Sequence, residues 1–146
     1  MQISGKVFAV TGGGNGIGRE VVLGLVAKGA RVAALDLSEE GLAETVRLAG
    51  ANGDRISTHV VSVTDREAVA ALPAEIIAQH GQVDGLLNIA GIIQKFVPVM
   101  QLEWDQIERV INVNLYGTLT TIKAFLPELV ARPEAALVNV ASMGAY

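Results

Sequence analysis

Five glycines fall within the eight residues Thr11-Gly12-Gly13-Gly14-Asn15-Gly16-Ile17-Gly18, directly after the apolar run Val7-Phe8-Ala9-Val10 and directly before a helical pattern. A turn that carries a buried strand into a helix leaves amide hydrogens unpaired at the positive end of the helix dipole, and such a surface seats a pyrophosphate. Gly12 is expected to make the sharp turn, Gly16 to let a ligand approach the backbone, and Gly18 to bring helix and strand together. Counted from Gly12, the strict Gly-x-Gly-x-x-Gly spacing is not met, because Ile17 holds its last position; a ligand-free strand-to-helix turn uses glycine as well. Asp36 ends the next apolar run, 18 residues after Gly18, near the spacing at which a carboxylate accepts hydrogen bonds from an adenosine ribose. That charge would repel a 2′-phosphate, and neither Asn15 nor Leu37 supplies a cation to hold one, so NAD is favoured over NADP. The bland alternative is that Asp36 only caps the following helix or forms a turn.

These residues need a scaffold of alternating strands and helices. Val7 to Val10 has no polar alternation, which marks a strand buried on both faces. Ile17, Val21 and Leu25, widened by Val22 and Val26, make one helix stripe that stops at Gly29. Val32 to Leu35 reads as a second strand. Ser38 caps a helix that begins with Glu39 and Glu40 and buries Leu42 and Val46. Ile56 to Val63 reads as a third strand. The Thr64-Asp65-Arg66-Glu67 spacing of a capping box then opens a helix through Val69, Leu72 and Ile76, with a kink or restart expected at Pro73 and a stop at Gly81. A fourth strand is expected over Val83 to Asn88, a long or interrupted helix from Leu102 to about Ala131 weakened by Gly117 and Pro127, and a fifth strand over Ala136 to Val140. Right-handed crossovers then give a doubly wound parallel sheet of order 3-2-1-4-5.

The bulk properties narrow the function classes. The 146 residues fit a single domain, and 51% apolar against 18% charged residues suits a packed core. Eleven basic against 15 acidic residues, net charge −4, leave no basic stripe for nucleic acid. There is no cysteine, and two separated histidines, His59 and His80, do not suggest a metal centre. No export signal is read at the start and every apolar run is far shorter than the roughly 18 residues of a membrane span, so a soluble, cytoplasmic protein is expected.

In this order, Thr11-Gly12-x-x-x-Gly16-Ile17-Gly18, Asp36, Asn88-Ile89-Ala90-Gly91, Asn114 and Ser142 resemble the landmarks of the short-chain dehydrogenase/reductase family, over essentially the whole chain. The resemblance implies a Rossmann-type fold and hydride transfer between a nicotinamide and an alcohol or ketone. It places Asn88, Ala90 and Gly91 near the adenosine ribose, with Asn88 also bracing the sheet; Ile89 departs from the family's second asparagine. Ser62-Val63-Thr64-Asp65 resembles a family segment whose first aspartate meets the adenine amine, and the Ser62 hydroxyl can still accept that bond. The implied dinucleotide contacts are thus Gly12, Asn15, Gly16, Ile17, Gly18, Asp36, Leu37, Ser62, Val63, Asn88, Ala90 and Gly91. Within Asn112-Val113-Asn114-Leu115, Asn114 matches the asparagine that interrupts a helix and anchors a proton-relay water, and Ser142 matches the catalytic serine that orients the substrate oxygen.

The same resemblance calls for a Tyr-x-x-x-Lys pair roughly a dozen residues after that serine, the lysine lowering the tyrosine pKa for proton transfer. Tyr146 follows Ser142 by only four residues with no lysine after it, and reads as a loop aromatic. The expectation is a fragment or truncated product, inactive alone, with an open fifth strand prone to self-association. The parent protein would act on a small alcohol or ketone and form a homo-oligomer; the alternative is a noncatalytic NAD-binding or interaction module. Ile92, Ile93, Phe96, Val97 and Met100 could line an apolar substrate cleft, but core packing is favoured for them.

Overall fold

The structure is a computed structural model and describes residues 1–142; Tyr146 therefore lies outside the described residues. Five parallel strands, β1 (Val7–Thr11), β2 (Arg31–Asp36), β3 (Ile56–Val60), β4 (Gly85–Asn88) and β5 (Ala136–Asn139), form one sheet in the order β3-β2-β1-β4-β5. This is the expected doubly wound arrangement, with β1 central because both of its faces are apolar. Its alternating side chains feed two separate cores. Phe8 and Val10 pack with Val22 and Val26 of α1 (Gly16–Ala27) and Leu42 of α2 (Glu39–Leu48). Val7 and Ala9 face the other way, toward Val69, Leu72 and Ile76 of α3 (Arg66–His80) and Phe125 and Leu129 of α5 (Thr118–Val130). Among the described residues, no helix is long and apolar enough to cross a membrane.

Several expected boundaries shift. β3 ends at Val60 rather than Val63: the amide of Val61 still reaches the Asp36 carbonyl at 2.9 Å, but the Ser62 hydroxyl then accepts the Thr64 amide at 3.2 Å and folds the chain into a turn. That turn removes Thr64 from the capping position. Asp65 is the N-cap of α3, its side chain accepting from the Ala68 amide at 3.1 Å. Nor does α3 restart at Pro73; it runs unbroken from Arg66 to His80, held onto the sheet by the buried Val69, Leu72, Pro73 and Ile76. β4 begins at Gly85 rather than Val83 and β5 stops at Asn139.

The long helix is interrupted in a specific way. α4 (Trp104–Ile111) passes through a π-helical segment, Asn112–Gly117, into α5 without leaving helical dihedrals. Gly117 is buried there, and a Cβ on it would lie 2.5 Å from the Val63 side chain. A wider turn with a bare backbone lets the rod pass close to the end of β3. The expected core role of the segment after β4 is not found: Phe96 and Met100 are each 87% exposed and Ile93 is also exposed. These apolar side chains lie on the surface because the segment runs outside both cores, with a short 3₁₀ turn at Val99–Gln101 as its one helical piece before α4.

Candidate functional site

The carboxyl ends of β1, β2 and β4 open onto a cavity of about 950 Å³, at the point where the chain turns from one side of β1 to the other. The glycine turn forms one wall. Gly12 has φ +73°, a left-handed conformation costly for other residues, and a Cβ there would lie 3.1 Å from the Ala90 backbone. At Gly18 a Cβ would run into the carbonyl oxygen of Gly12, so helix α1 can start against the end of β1 only with glycine at that position. Around Gly16, which has φ +48°, the space is open, with nothing within 4 Å of a built Cβ. No side chain caps α1 and its first turn holds no acidic residue, so its amide hydrogens and positive dipole face the cavity uncompensated.

Asp36 stands beside this turn. One carboxylate oxygen accepts the Gly14 amide at 2.9 Å and the other the Ser38 amide at 3.0 Å. The carboxylate therefore makes the turn toward α2 that was the bland alternative for it, and it also lines the cavity. Thr11, buried at the end of β1, accepts the amides of Ile89 and Ala90 at 3.0 Å each, tying the Asn-Ile-Ala-Gly turn to the glycine turn. Both bonds use backbone amides, so the Ile89 departure does not disturb them.

Most of the anticipated contacts converge. Gly12, Asn15, Ile17 and Gly18 line the cavity from the first turn, Asp36 and Leu37 from the second, Ser62 and Val63 from the third, and Ala90 and Gly91 from the fourth. Gly16, Asn88, Asn114 and Ser142 do not line it. Asn88 instead braces the sheet: its Nδ2 donates to Asn139 Oδ1 at 2.9 Å, and its Oδ1 accepts from Thr121 at 2.7 Å. Ser62 Oγ lies 2.7 Å from Thr64 Oγ1. Asn114 sits inside the π-helical segment, where a helix interruption was expected, and its side chain exchanges two 2.9 Å bonds with the backbone of Ile92. Ser142 is exposed and follows β5 after Val140 and Ala141.

Some lining residues carry no sequence signal. Asp105, Glu108 and Arg109 of α4, with Arg66 of α3, also line the cavity and bring charge to it. Their separation from the glycine turn in sequence hides them, and only the helical spacing of Asp105, Glu108 and Arg109 could have shown that they share a face.

The family model for short chain dehydrogenase matches residues 6–146. The chain belongs to this family. Among short-chain dehydrogenase relatives, the SadH protein of Mycobacterium tuberculosis is 40% identical over 142 residues, covering 97% of this chain and 51% of its own length. The 3-oxoacyl-[acyl-carrier-protein] reductase FabG of Thermotoga maritima is 32% identical, over 98% of this chain and 58% of that protein. The chain thus spans about half the length of the curated relatives it matches. Among solved structures, NAD⁺-bound xylitol dehydrogenase superimposes with a TM-score of 0.93 at 31% identity, over 99% of this chain and 56% of that one. A metagenomic short-chain oxidoreductase in complex with NADP gives 0.90 at 29% identity, over 100% and 66%.

Proposed function

We propose that residues 1–146 form a dinucleotide-binding domain of a cytoplasmic, homo-oligomeric oxidoreductase that moves hydride between NAD and a small alcohol or ketone. The observation that carries this reading is the meeting, in one cavity, of the unpaired α1 amides and the Asp36 carboxylate. Family membership and the nicotinamide dinucleotides named for the solved neighbours support it. When bound, the nicotinamide supplies the hydride acceptor or donor.

The chain's own residues supply the seat. Amides of Asn15 to Gly18 would take the pyrophosphate, Asp36 and Leu37 the adenosine ribose, Ser62 and Val63 the adenine, and Ala90 and Gly91 the far wall. Asp36 is the residue that selects NAD, because a 2′-phosphate would put like charges together. Ser142 would orient the substrate oxygen. Asn114, locked to Ile92, would hold the segment after β4 in place beside the proton route. Exposed Trp104 and Val130 on α4 and α5 support association with a further chain.

The 146 residues contain no Tyr-x-x-x-Lys, so this chain alone should bind the cofactor without turning it over. Calorimetric titration with NADH and NADPH, followed by NADH oxidation with a ketone panel, tests both statements. Expected are NADH binding tighter than NADPH and no turnover; absence of NADH binding would remove the reading. Binding without turnover that persists in the longest natural form of the protein would favour the alternative, a noncatalytic dinucleotide-binding or interaction module.

A further inference from the structure

Two side chains that lie outside the cavity hold the glycine turn from behind. Thr45, fully buried in α2, donates its hydroxyl to the Gly13 carbonyl at 2.8 Å, with the Gly41 carbonyl one helical turn back at 3.0 Å. The same oxygen accepts Nε of Arg19, from α1, at 3.1 Å. Arg19 Nη2 in turn donates to the Gly14 carbonyl and reaches the Gly41 carbonyl at 3.4 Å. Two successive carbonyls of the turn are thus drawn toward α2.

Every peptide bond described is trans, and in a trans peptide the N–H points opposite to the C=O. With the Gly13 carbonyl on Thr45, the next amide, that of Gly14, faces Asp36 and bonds it at 2.9 Å. With the Gly14 carbonyl on Arg19, the Asn15 amide points away from Arg19, and Asn15 is a residue that lines the cavity. Glycines 13 and 14 would otherwise let these peptide planes rotate at little steric cost, and a carbonyl swung into the cavity would set a negative dipole where an anion must sit.

We infer that Arg19 and Thr45 are positioning residues: they fix the peptide planes of Gly13 and Gly14 so that both carbonyls are held on α1 and α2 side chains and the turn offers no carbonyl to the pyrophosphate of a dinucleotide. This rests on the dinucleotide reading above. Neither residue touches the ligand space. Their effect should be greater on the affinity for pyrophosphate-containing ligands than on that for adenosine alone, which Thr45 reaches only through the Gly14 amide on Asp36.

The test compares wild-type protein with Thr45→Val, Thr45→Ser and Arg19→Lys. NADH and ADP-ribose are titrated by calorimetry, adenosine by NMR, and folding is followed by urea unfolding. Thr45→Val is expected to weaken NADH and ADP-ribose about tenfold, the worth of one hydrogen bond, with a clearly smaller loss for adenosine and Thr45→Ser close to wild type. Arg19→Lys keeps the charge, loses the fork to Thr45 and Gly14, and should show the same ligand split if Thr45→Val fails to fold. Unchanged NADH affinity in folded variants, or equal losses for NADH and adenosine, overturns the inference alone. Wild-type protein that binds neither NADH nor ADP-ribose removes the dinucleotide reading itself.

Discussion

The buried hydroxyl of Thr121, on α5, donates to Oδ1 of Asn88 at the end of β4 over 2.7 Å. Asn88 passes the connection on to Asn139 of β5 at 2.9 Å. A helix and two strands are therefore pinned together by one asparagine. Thr121→Val leaves that buried oxygen without its donor and is expected to cost about 1–3 kcal/mol, read as a lower urea midpoint; Thr121→Ser should lose far less. Equal stability of the valine variant would show that the bond adds nothing.

At the opposite end of the sheet, Asp84 is wholly buried and accepts Nε of Arg132 and the amide of Val7, each at 2.9 Å, together with Gln82 Nε2 at 2.6 Å. Asp84→Ala strips a backbone amide and a guanidinium of their acceptor at once. The expected cost is about 3 kcal/mol, measured by equilibrium unfolding. Asp84→Asn, which keeps an acceptor for Val7, should fall between the alanine variant and wild type.

Asp36→Asn separates charge from shape, since an amide oxygen can still receive the Gly14 amide. The variant should narrow the preference for NADH over NADPH by about tenfold, corresponding to one to two kcal/mol of lost repulsion at a solvated site. Competitive titration of the two dinucleotides reads the ratio. An unaltered ratio would take the selecting role away from this carboxylate.

His59 and His80 share the hydroxyl of Ser57, at 3.0 and 2.8 Å. Burial holds His59 below its ordinary value of 6.5 despite the nearby Glu75 carboxylate. Burial, then the charges of Arg31 and His59, hold His80 below its own. Because the unfolded chain takes up these protons first, stability should be level above about pH 6.5 and decline as pH falls through and below it. Urea midpoints from pH 8 to 5 measure the slope. His59→Gln with His80→Gln should flatten it, and an undiminished slope would place the acid sensitivity elsewhere.

The parallel sheet was readable in the sequence because apolar runs such as Val7 to Val10 and Val32 to Leu35 are each closed by a turn signal, and buried strands need no partner-specific code. The glycine turn was readable for the same local reason. Boundaries set by side-chain competition were not: the Ser62–Thr64 turn shortens β3 and hands the cap of α3 to Asp65, a contest that spacing alone does not decide. A restart at Pro73 is not found because tertiary packing, absent from a one-dimensional pattern, holds α3 together around it. The Arg19–Thr45 pair joins two helices across 26 residues, and Thr121 meets Asn88 across 33; neither pairing leaves a trace in local periodicity. The apolar residues Phe96 and Met100 show the converse limit, since hydrophobic character does not say whether a segment enters a core.

The central place of β1 bears on how the chain reaches this shape. Both of its neighbours, β2 and β4, run parallel to it, so each arrives through a crossover and no hairpin is available to start the sheet. Because β4 follows β1 by more than 70 residues, β1 must wait with one flank unmatched until β4 has been made. Assembly should therefore be slower than in a helical bundle of equal length, and most vulnerable to mispairing while β1, β2 and β3 have been made and β4 has not.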